Sequence, residues 1–517
     1  MKATGKKYVI AVDIGTTSTK TLLVDRTGAI RGEHSIGYGI VSVLPGQAEQ
    51  DPIEIYEAVI MGIQAVMASS SIEANEILCV SFSSAMHSLI VMDAQFNLLT
   101  QSIIWADSRA VQHADRLKKS PEGHGVYLRT GTPLHPMSPL IKLMWLKESD
   151  PTTFAKAAWF VGIKEFILAK LFGRVVIDYS IASATGLFNL ATLTWDEEAL
   201  RIAGVTADRL PEPVPTTYRL QGMVASEAGR MGLGVDTPFV VGASDGVLAN
   251  LGVGAYEPGV FAVTVGTSGA VRAVVPKPIA DPKGRLFCYA LTENAWVVGG
   301  AINNGGILLR WVRDVLATEE AAEARRQGLD PYAYLTGLAE RIPAGSDGLL
   351  MLPMLTGERA PHWNANARGV FFGLSLTHGK AHMIRSVLEG VVYGLYSVAA
   401  ALTEVVGPGK EIRASGGFAR SVFWRQIMTD VWGMPLVVPD VIESSGLGAA
   451  YLGLMAMGEV SDFSGIQAWI QTGSAHTVNM ENNKVYGQLF PLYEQVYDRL
   501  KDSFDDIARF QSKPLGE

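Results

Sequence analysis

One pattern occurs twice, half a chain apart, and it limits the folds open to this sequence more than any other feature. Tyr8-Val-Ile-Ala-Val-Asp13 is a short apolar run rich in β-formers. It leads into a turn of small and hydroxyl residues, Ile14-Gly15-Thr16-Thr17-Ser18-Thr19-Lys20, and then into a second run, Thr21-Leu-Leu-Val-Asp25. Val260-Phe-Ala-Val-Thr-Val265 leads in the same way into Gly266-Thr267-Ser268-Gly269-Ala270-Val271. Gly15 and Thr16 correspond to Gly266 and Thr267, an offset of 251 residues. A single repeat at half the chain length predicts two domains of related fold, not a solenoid. The 517 residues leave room for them, at roughly 150 residues per domain.

Between the repeats, strand-like runs alternate with stretches of helical period. Pro52–Ala68 carries apolar residues at Ile53, Tyr56, Val59, Ile60 and Ile63, the spacing of one helix face. Residues 76–82 and 89–93 read as strands, and 155–172 and 195–203 as helices. In the second half, 302–316, 421–431 and 447–457 read as helices and 411–414 and 436–439 as strands. Mixed β-meanders and βα units predict an α/β fold. A boundary fits near the Gly-containing stretch 251–258. This gives an N-terminal domain of 1–253, a C-terminal domain of 254–475 and a helical extension over 476–517.

Composition removes several classes of function. The net charge of −8 lacks the basic footprint of a nucleic-acid binder. Charged content of 18% with 48% hydrophobic residues predicts a globular chain. Cys79 and Cys288 are too few for a disulfide framework or a zinc cage, and they fit a reduced, cytoplasmic setting. The charge-free apolar stretches 391–402 and 446–458 fall short of the roughly 20 residues that span a bilayer, so no membrane is expected. Walker A, dinucleotide-fingerprint and zinc-protease patterns do not occur.

Four segments could carry chemistry. In the first turn, Gly15 lets backbone N–H groups approach an anion, Thr16, Thr17 and Ser18 add hydroxyls and Lys20 adds charge. Asp13 at the strand end could hold Mg²⁺ through water. The alternative is a plain β-turn. Gly266-Thr267-Ser268-Gly269 repeats the feature, and two such turns could bracket a polyphosphate. In Val240-Val-Gly-Ala-Ser-Asp245-Gly246 a strand presents one carboxylate at a turn, readable as a general base or as a helix cap. Ala414-Ser-Gly416-Gly417-Phe-Ala-Arg-Ser421 is a strand, a double glycine and a helix start, where backbone could lie flat against a planar ring. Met86-His87 and Trp105-Ala-Asp107-Ser-Arg109 follow strand-like runs and could line a polar pocket, although a lone His or Arg is more often structural.

Taken together these residues resemble the FGGY carbohydrate kinases of the actin and hexokinase superfamily. Met137-Ser-Pro139-Leu-Ile-Lys142-Leu-Met-Trp145-Leu-Lys-Glu148 is similar to the first family signature, departing only at Ser149. Gly369-Val-Phe371-Phe-Gly373-Leu374, followed after seven residues by His382-Met-Ile-Arg-Ser386-Val-Leu-Glu389-Gly390, fits the second. The resemblance implies two ribonuclease-H-like domains around a central nucleotide and sugar cleft. It also implies direct transfer of the γ-phosphoryl group of MgATP to a hydroxyl. Asp245 matches the catalytic aspartate. Asp13 would serve the magnesium, and Gly15, Thr16, Thr17, Ser18, Lys20, Gly266 and Thr267 the phosphates. Gly306 and Arg310 would meet ribose and adenine edges, with Gly416, Gly417 and Ser421 in the adenosine motif. Within the family, Ser81–Ser88, Ile104–Arg109, Gly131–Pro139 and Gly357–Pro361 are most similar to the gluconokinase branch. That implies D-gluconate as substrate, contacted by Met86, His87, Trp105, Asp107, Arg109, His135, Met137 and Gly246, with Arg109 on its carboxylate. Xylulokinases also carry Met-His at 86–87, so a ketopentose kinase is the alternative. A non-catalytic nucleotide-dependent sugar sensor is a third reading, and a homodimer is allowed.

Overall fold

The computed structural model describes residues 5–440 and 443–511. They form two compact units, each assembled from separate chain segments. The first comprises 1–256, 274–298 and 443–471, and the second 257–273, 299–442 and 472–517.

In the first unit, strand Tyr8–Ile14 pairs antiparallel with Ser18–Asp25, which pairs in turn with Ile30–Gly37. On its other edge it lies parallel to Ile77–Ser84, beyond which come Phe239–Ser244 and Arg219–Leu220. Every residue of Ile77–Ser84 is buried, as expected of a central parallel strand covered on both faces. The covering follows the strand's period of two. Ile10, Val12 and Ile14 join one apolar core with Ile55, Val59 and Ile63 of helix Pro52–Ser70. Val9, Cys79 and Ser81 face Gly453 of helix Ser444–Ala456. Asp51 starts the first of these helices by accepting from Ile53 N, and Pro52 at the first position loses no intrahelical bond.

The second unit repeats the plan. Val260–Val265 pairs antiparallel with Gly269–Val275 and parallel with Glu411–Ser415, which is followed by Leu436–Pro439 and Thr472–His476. The repeat seen in the sequence is therefore a repeat of topology. The two turns differ in length. Ile14 faces Thr19 across four intervening residues, whereas Val265 faces Gly269 across three.

Helix Lys380–Val406 and helix Pro52–Ser70 are each long and apolar enough to cross a membrane. The former is largely buried inside its unit, as a core helix is. A helix runs Met480–Gln511 within the stretch 476–517, of which 512–517 lie outside the described residues.

Some elements depart from the sequence expectation. Residues 155–172 are not one helix. Helix Pro151–Lys156 ends, Trp159–Val161 pairs with Ile90–Met92, and a new helix runs Ile163–Phe172. Apolar residues on a buried helix and on a buried short strand look alike in sequence, and cross-strand pairing decides here. The Glu165 carboxylate marks the restart by accepting from Gly162 N. Residues 302–316 begin as the end of strand Ala295–Ile302, and helix starts only at Ile307. Trp195 sits in a two-residue strand, and Asp196 caps the helix Glu197–Ala203.

Candidate active site

The first unit gathers the acidic candidates. Asp13 lies at the end of its strand, opposite Lys20 across the hairpin and beside Ser83 on the parallel neighbour. Ser83 Oγ donates to its carboxylate at 2.6 Å. The repeat places Thr264 and Ser415 in the equivalent positions, and their hydroxyls lie 2.9 Å apart. Only the first copy carries a carboxylate. Burial and then the nearby Asp245 push the Asp13 carboxyl up to about 7, with Glu443 adding to the effect and Ser83 and Lys20 opposing it. Two acids held this close repel one another, an arrangement a hydrated Mg²⁺ would relieve. Among the described residues no group of three metal-ligating side chains exists.

Asp245 opens helix Asp245–Gly252, directly after the buried strand Phe239–Ser244. Its Oδ1 accepts from Gly246 N at 2.6 Å, and its carbonyl accepts from Ser445 Oγ at 3.3 Å. A Cβ on Gly252 would stand 1.8 Å from the carbonyl oxygen of Ser444, and one on Gly448 2.2 Å from that of Leu248. Backbone thus lies against backbone where this helix meets Ser444–Ala456, which holds the Asp245 turn rigidly from behind. At the start of the supporting helix Glu443 accepts from Lys20 at 2.6 Å.

Gly15, Thr16, Met86 and Trp105 line one cavity with Gln50 and Ser88. Its volume of about 10 Å³ admits a single water. Trp105 Nε1 donates to Thr16 Oγ1 at 2.9 Å, and Gln50 Nε2 donates to Thr16 O at 2.7 Å. Met137 is buried, and its N–H donates to His135 Nδ1 at 3.2 Å. His87 is buried, with its Nδ1 2.8 Å from the Ala184 carbonyl oxygen and a backbone φ of 69°.

Arg109 donates to the carboxylates of Asp107 and Glu49 and stacks over Trp145 at 4.5 Å. Burial alone would lower its pKa, and the hydrogen bonds to Asp107 and Glu49 outweigh it. Two carboxylates therefore already compensate the cation expected at the substrate's acid group. Asp107 is buried and fixed by the same contact and by Ala48 N.

The second unit gathers the nucleotide candidates around a cavity of about 690 Å³, a size that accepts a nucleoside. Gly266, Thr267, Gly306, Arg310, Gly417 and Ser421 all line it. Gly305 and Ile307 donate to Thr267 O at 3.1 and 3.2 Å, and Gly306 donates to Gly266 O at 2.7 Å, so the helix start is tied to the turn. Ser421 caps helix Val422–Trp432 by accepting from Trp424 N. Gly416 lies just outside the lining. Its φ of 89° and the 2.5 Å that would separate a Cβ from Val265 O leave room for glycine only.

Sequence reasoning missed one wall of this cavity, Tyr332, Ala333, Thr336 and Gly337 of helix Pro331–Glu340, together with Leu309 and Phe423. The Asp330-Pro331 helix start was its available signal. It also missed Ser83 and Glu443, which act on Asp13 from strand and helix ends far away in the chain.

The chain matches the model of the FGGY carbohydrate kinase N-terminal domain over residues 8–252 and that of the C-terminal domain over 261–457. It is 49% identical over 505 residues to a gluconokinase of Bacillus licheniformis, covering 98% of each chain. Two solved structures from Lactobacillus acidophilus, each 37% identical, superpose closely. One is described as a gluconate kinase, with a TM-score of 0.91 and coverage of 97% of this chain and 99% of that one. The other is described as a ligand-bound xylulose kinase, with a TM-score of 0.92 and coverage of 97% and 100%. The acidic turn, the repeated hydroxyl turn and the two domain matches agree, and the chain belongs to the FGGY family of carbohydrate kinases.

Proposed function

We propose that this kinase phosphorylates D-gluconate to 6-phospho-D-gluconate at the expense of ATP. The observation that carries the reading is the 49% identity, over nearly the whole chain, to a gluconokinase.

In the proposed reaction Asp245 accepts the proton of the terminal hydroxyl as that oxygen bonds to the γ-phosphorus. The bond from phosphorus to the β,γ-bridging oxygen breaks, and ADP leaves. Phosphoryl transfer asks mainly for positioning and charge stabilisation. The amides and hydroxyls of Gly15, Thr16, Thr17, Ser18, Gly266 and Thr267 supply the latter, with Lys20. Mg²⁺ belongs to the nucleotide substrate, and Asp13 would hold it through water. Gly306, Arg310, Gly416, Gly417 and Ser421 would hold the nucleoside. Met86, His87, Trp105, His135, Met137 and Gly246 would line the sugar acid's site, with Asp107 and Arg109 fixing its outer wall. A cytoplasmic setting suits both substrates.

A coupled ADP-release assay with gluconate, xylulose, ribulose and glycerol tests the assignment. Gluconate should give the highest kcat/KM. The second reading, a ketopentose kinase, rests on the xylulose kinase structure of equal identity. It prevails if xylulose or ribulose matches gluconate.

A further inference from the structure

Lys142 lies one turn into helix Pro139–Ser149 and is 1% exposed. Its ammonium donates to three main-chain carbonyls, those of His87 at 2.5 Å, Ile103 at 3.0 Å and Ile104 at 2.8 Å. Three donors meet three acceptors, which is the full capacity of the group. These carbonyls belong to two segments, one carrying Met86 and His87 and the other running into Trp105. The segments are already bridged by the mutual bonds of Leu89 and Ile103, and Lys142 closes the end of that ladder. His87 is held in the left-handed region. A non-glycine residue stays there only where its surroundings overdetermine it. Its carbonyl on Lys142 and its ring on the Ala184 carbonyl provide that.

We propose that Lys142 is a positioning residue for the acceptor substrate, fixing the backbone of His87 and Ile104 so that Met86, His87 and Trp105 present one preformed surface. This rests on the reading that those three residues contact the acceptor. Lys142 itself touches no substrate, because its donors are consumed. Burial pushes the ammonium down to about 7, with Asp107 opposing and Arg109 adding to the fall. Those two are the charged side chains that act on it, and the His87 ring is engaged with Ala184. Above about pH 7 the amine is neutral, keeps two N–H groups for three carbonyls, and one of the two segments loses its tether.

The test compares wild type with Lys142→Met, a substitution of similar length without donors. The variant should raise KM for gluconate by about tenfold or more, with KM for ATP and sugar-independent ADP release unchanged. In wild type, KM for gluconate should rise with pH above about 7, and in Lys142→Met it should be flat. An unchanged gluconate KM, or equal rises in both KM values, overturns the proposal. If Lys142→Met does not fold, a gluconate KM in wild type that stays flat through about pH 7 overturns it instead. The substrate reading fails separately. If wild type does not turn over gluconate, the same comparison on the sugar it does phosphorylate decides the role of Lys142.

Discussion

Trp105 donates its indole N–H to Thr16 Oγ1 across 2.9 Å, which joins the segment proposed to face the acceptor to the turn proposed to face the phosphates. The two lie 89 residues apart in sequence and line the same small cavity. A bond between the two proposed subsites couples their geometry. Trp105→Phe keeps most of the ring and removes only the donor. A hydrogen bond of this kind contributes about 1 kcal/mol. The variant should therefore lose roughly fivefold in kcat/KM for gluconate and for ATP alike. Steady-state kinetics on both substrates checks this, and a loss confined to one substrate would show that the two sites are not coupled through this bond.

Asp245→Asn should retain ATP affinity and lose at least ~10³-fold in kcat, within the range a general base supplies. The amide oxygen can still accept from Gly246 N, as Oδ1 does at 2.6 Å, so the turn should survive. A thermal melt controls for folding and isothermal titration for nucleotide binding. Near-normal turnover would remove Asp245 from the proton-accepting role.

The raised Asp13 carboxyl gives two pH effects of known sign. Its pKa of about 7 means that it is neutral below that value and charged above it. If it holds magnesium, apparent Mg²⁺ affinity should fall towards tenfold per pH unit below about pH 7 and level off above, because the proton and the cation compete. Titrating activity against Mg²⁺ at several pH values measures this, and Asp13→Asn should abolish the dependence. The second effect concerns the protein without nucleotide. The folded state binds a proton that the unfolded chain has released, so stability falls as pH rises from the ordinary carboxylate range to about 7. Asp13→Asn removes the repulsion with Asp245 while Ser83 can still donate, and should melt higher than wild type at pH 8 without Mg²⁺ or nucleotide. A lower melting temperature would contradict the electrostatic account.

What was legible in the sequence had a local cause. The strand, turn and strand around Gly15 and around Gly266 depend on neighbouring residues, and the topology they predicted is present in both units. The glycines at 266, 306 and 417 fall on one cavity for the same reason, since each marks a turn that the chain itself must make. What was not legible depends on partners distant in sequence. Trp159–Val161 is a strand only because Ile90–Met92 lies beside it. Lys142 reads as one charge in an apolar helix until the three carbonyls around it are seen. Arg109 carries no sign in its own segment that Glu49, sixty residues earlier, competes for it. The chain leaves the first unit at 256, re-enters it for 274–298 and comes back once more at 443, so the helix supporting Asp245 belongs to a part of the sequence that reads as the other domain.

The double glycine offers a test that separates folding from binding. Gly416 has a φ of 89°, and a Cβ there would press on the Val265 carbonyl at 2.5 Å. Gly416→Ala should cost about 1–3 kcal/mol of stability through backbone strain and the displacement of that carbonyl, whatever the ligand. A Cβ on Gly417 would meet nothing within 4 Å, yet the residue lines the 690 Å³ cavity. Gly417→Val should therefore leave the melting temperature of the free protein nearly unchanged, while two added methyl groups occupy space the adenine would need. Its KM for ATP should rise by about tenfold or more, since one or two misplaced methyl groups in a tight site cost ~1–3 kcal/mol. KM for gluconate should not move. An ATP KM equal to that of wild type would place the base elsewhere in the cavity, against the wall formed by Tyr332, Ala333 and Thr336.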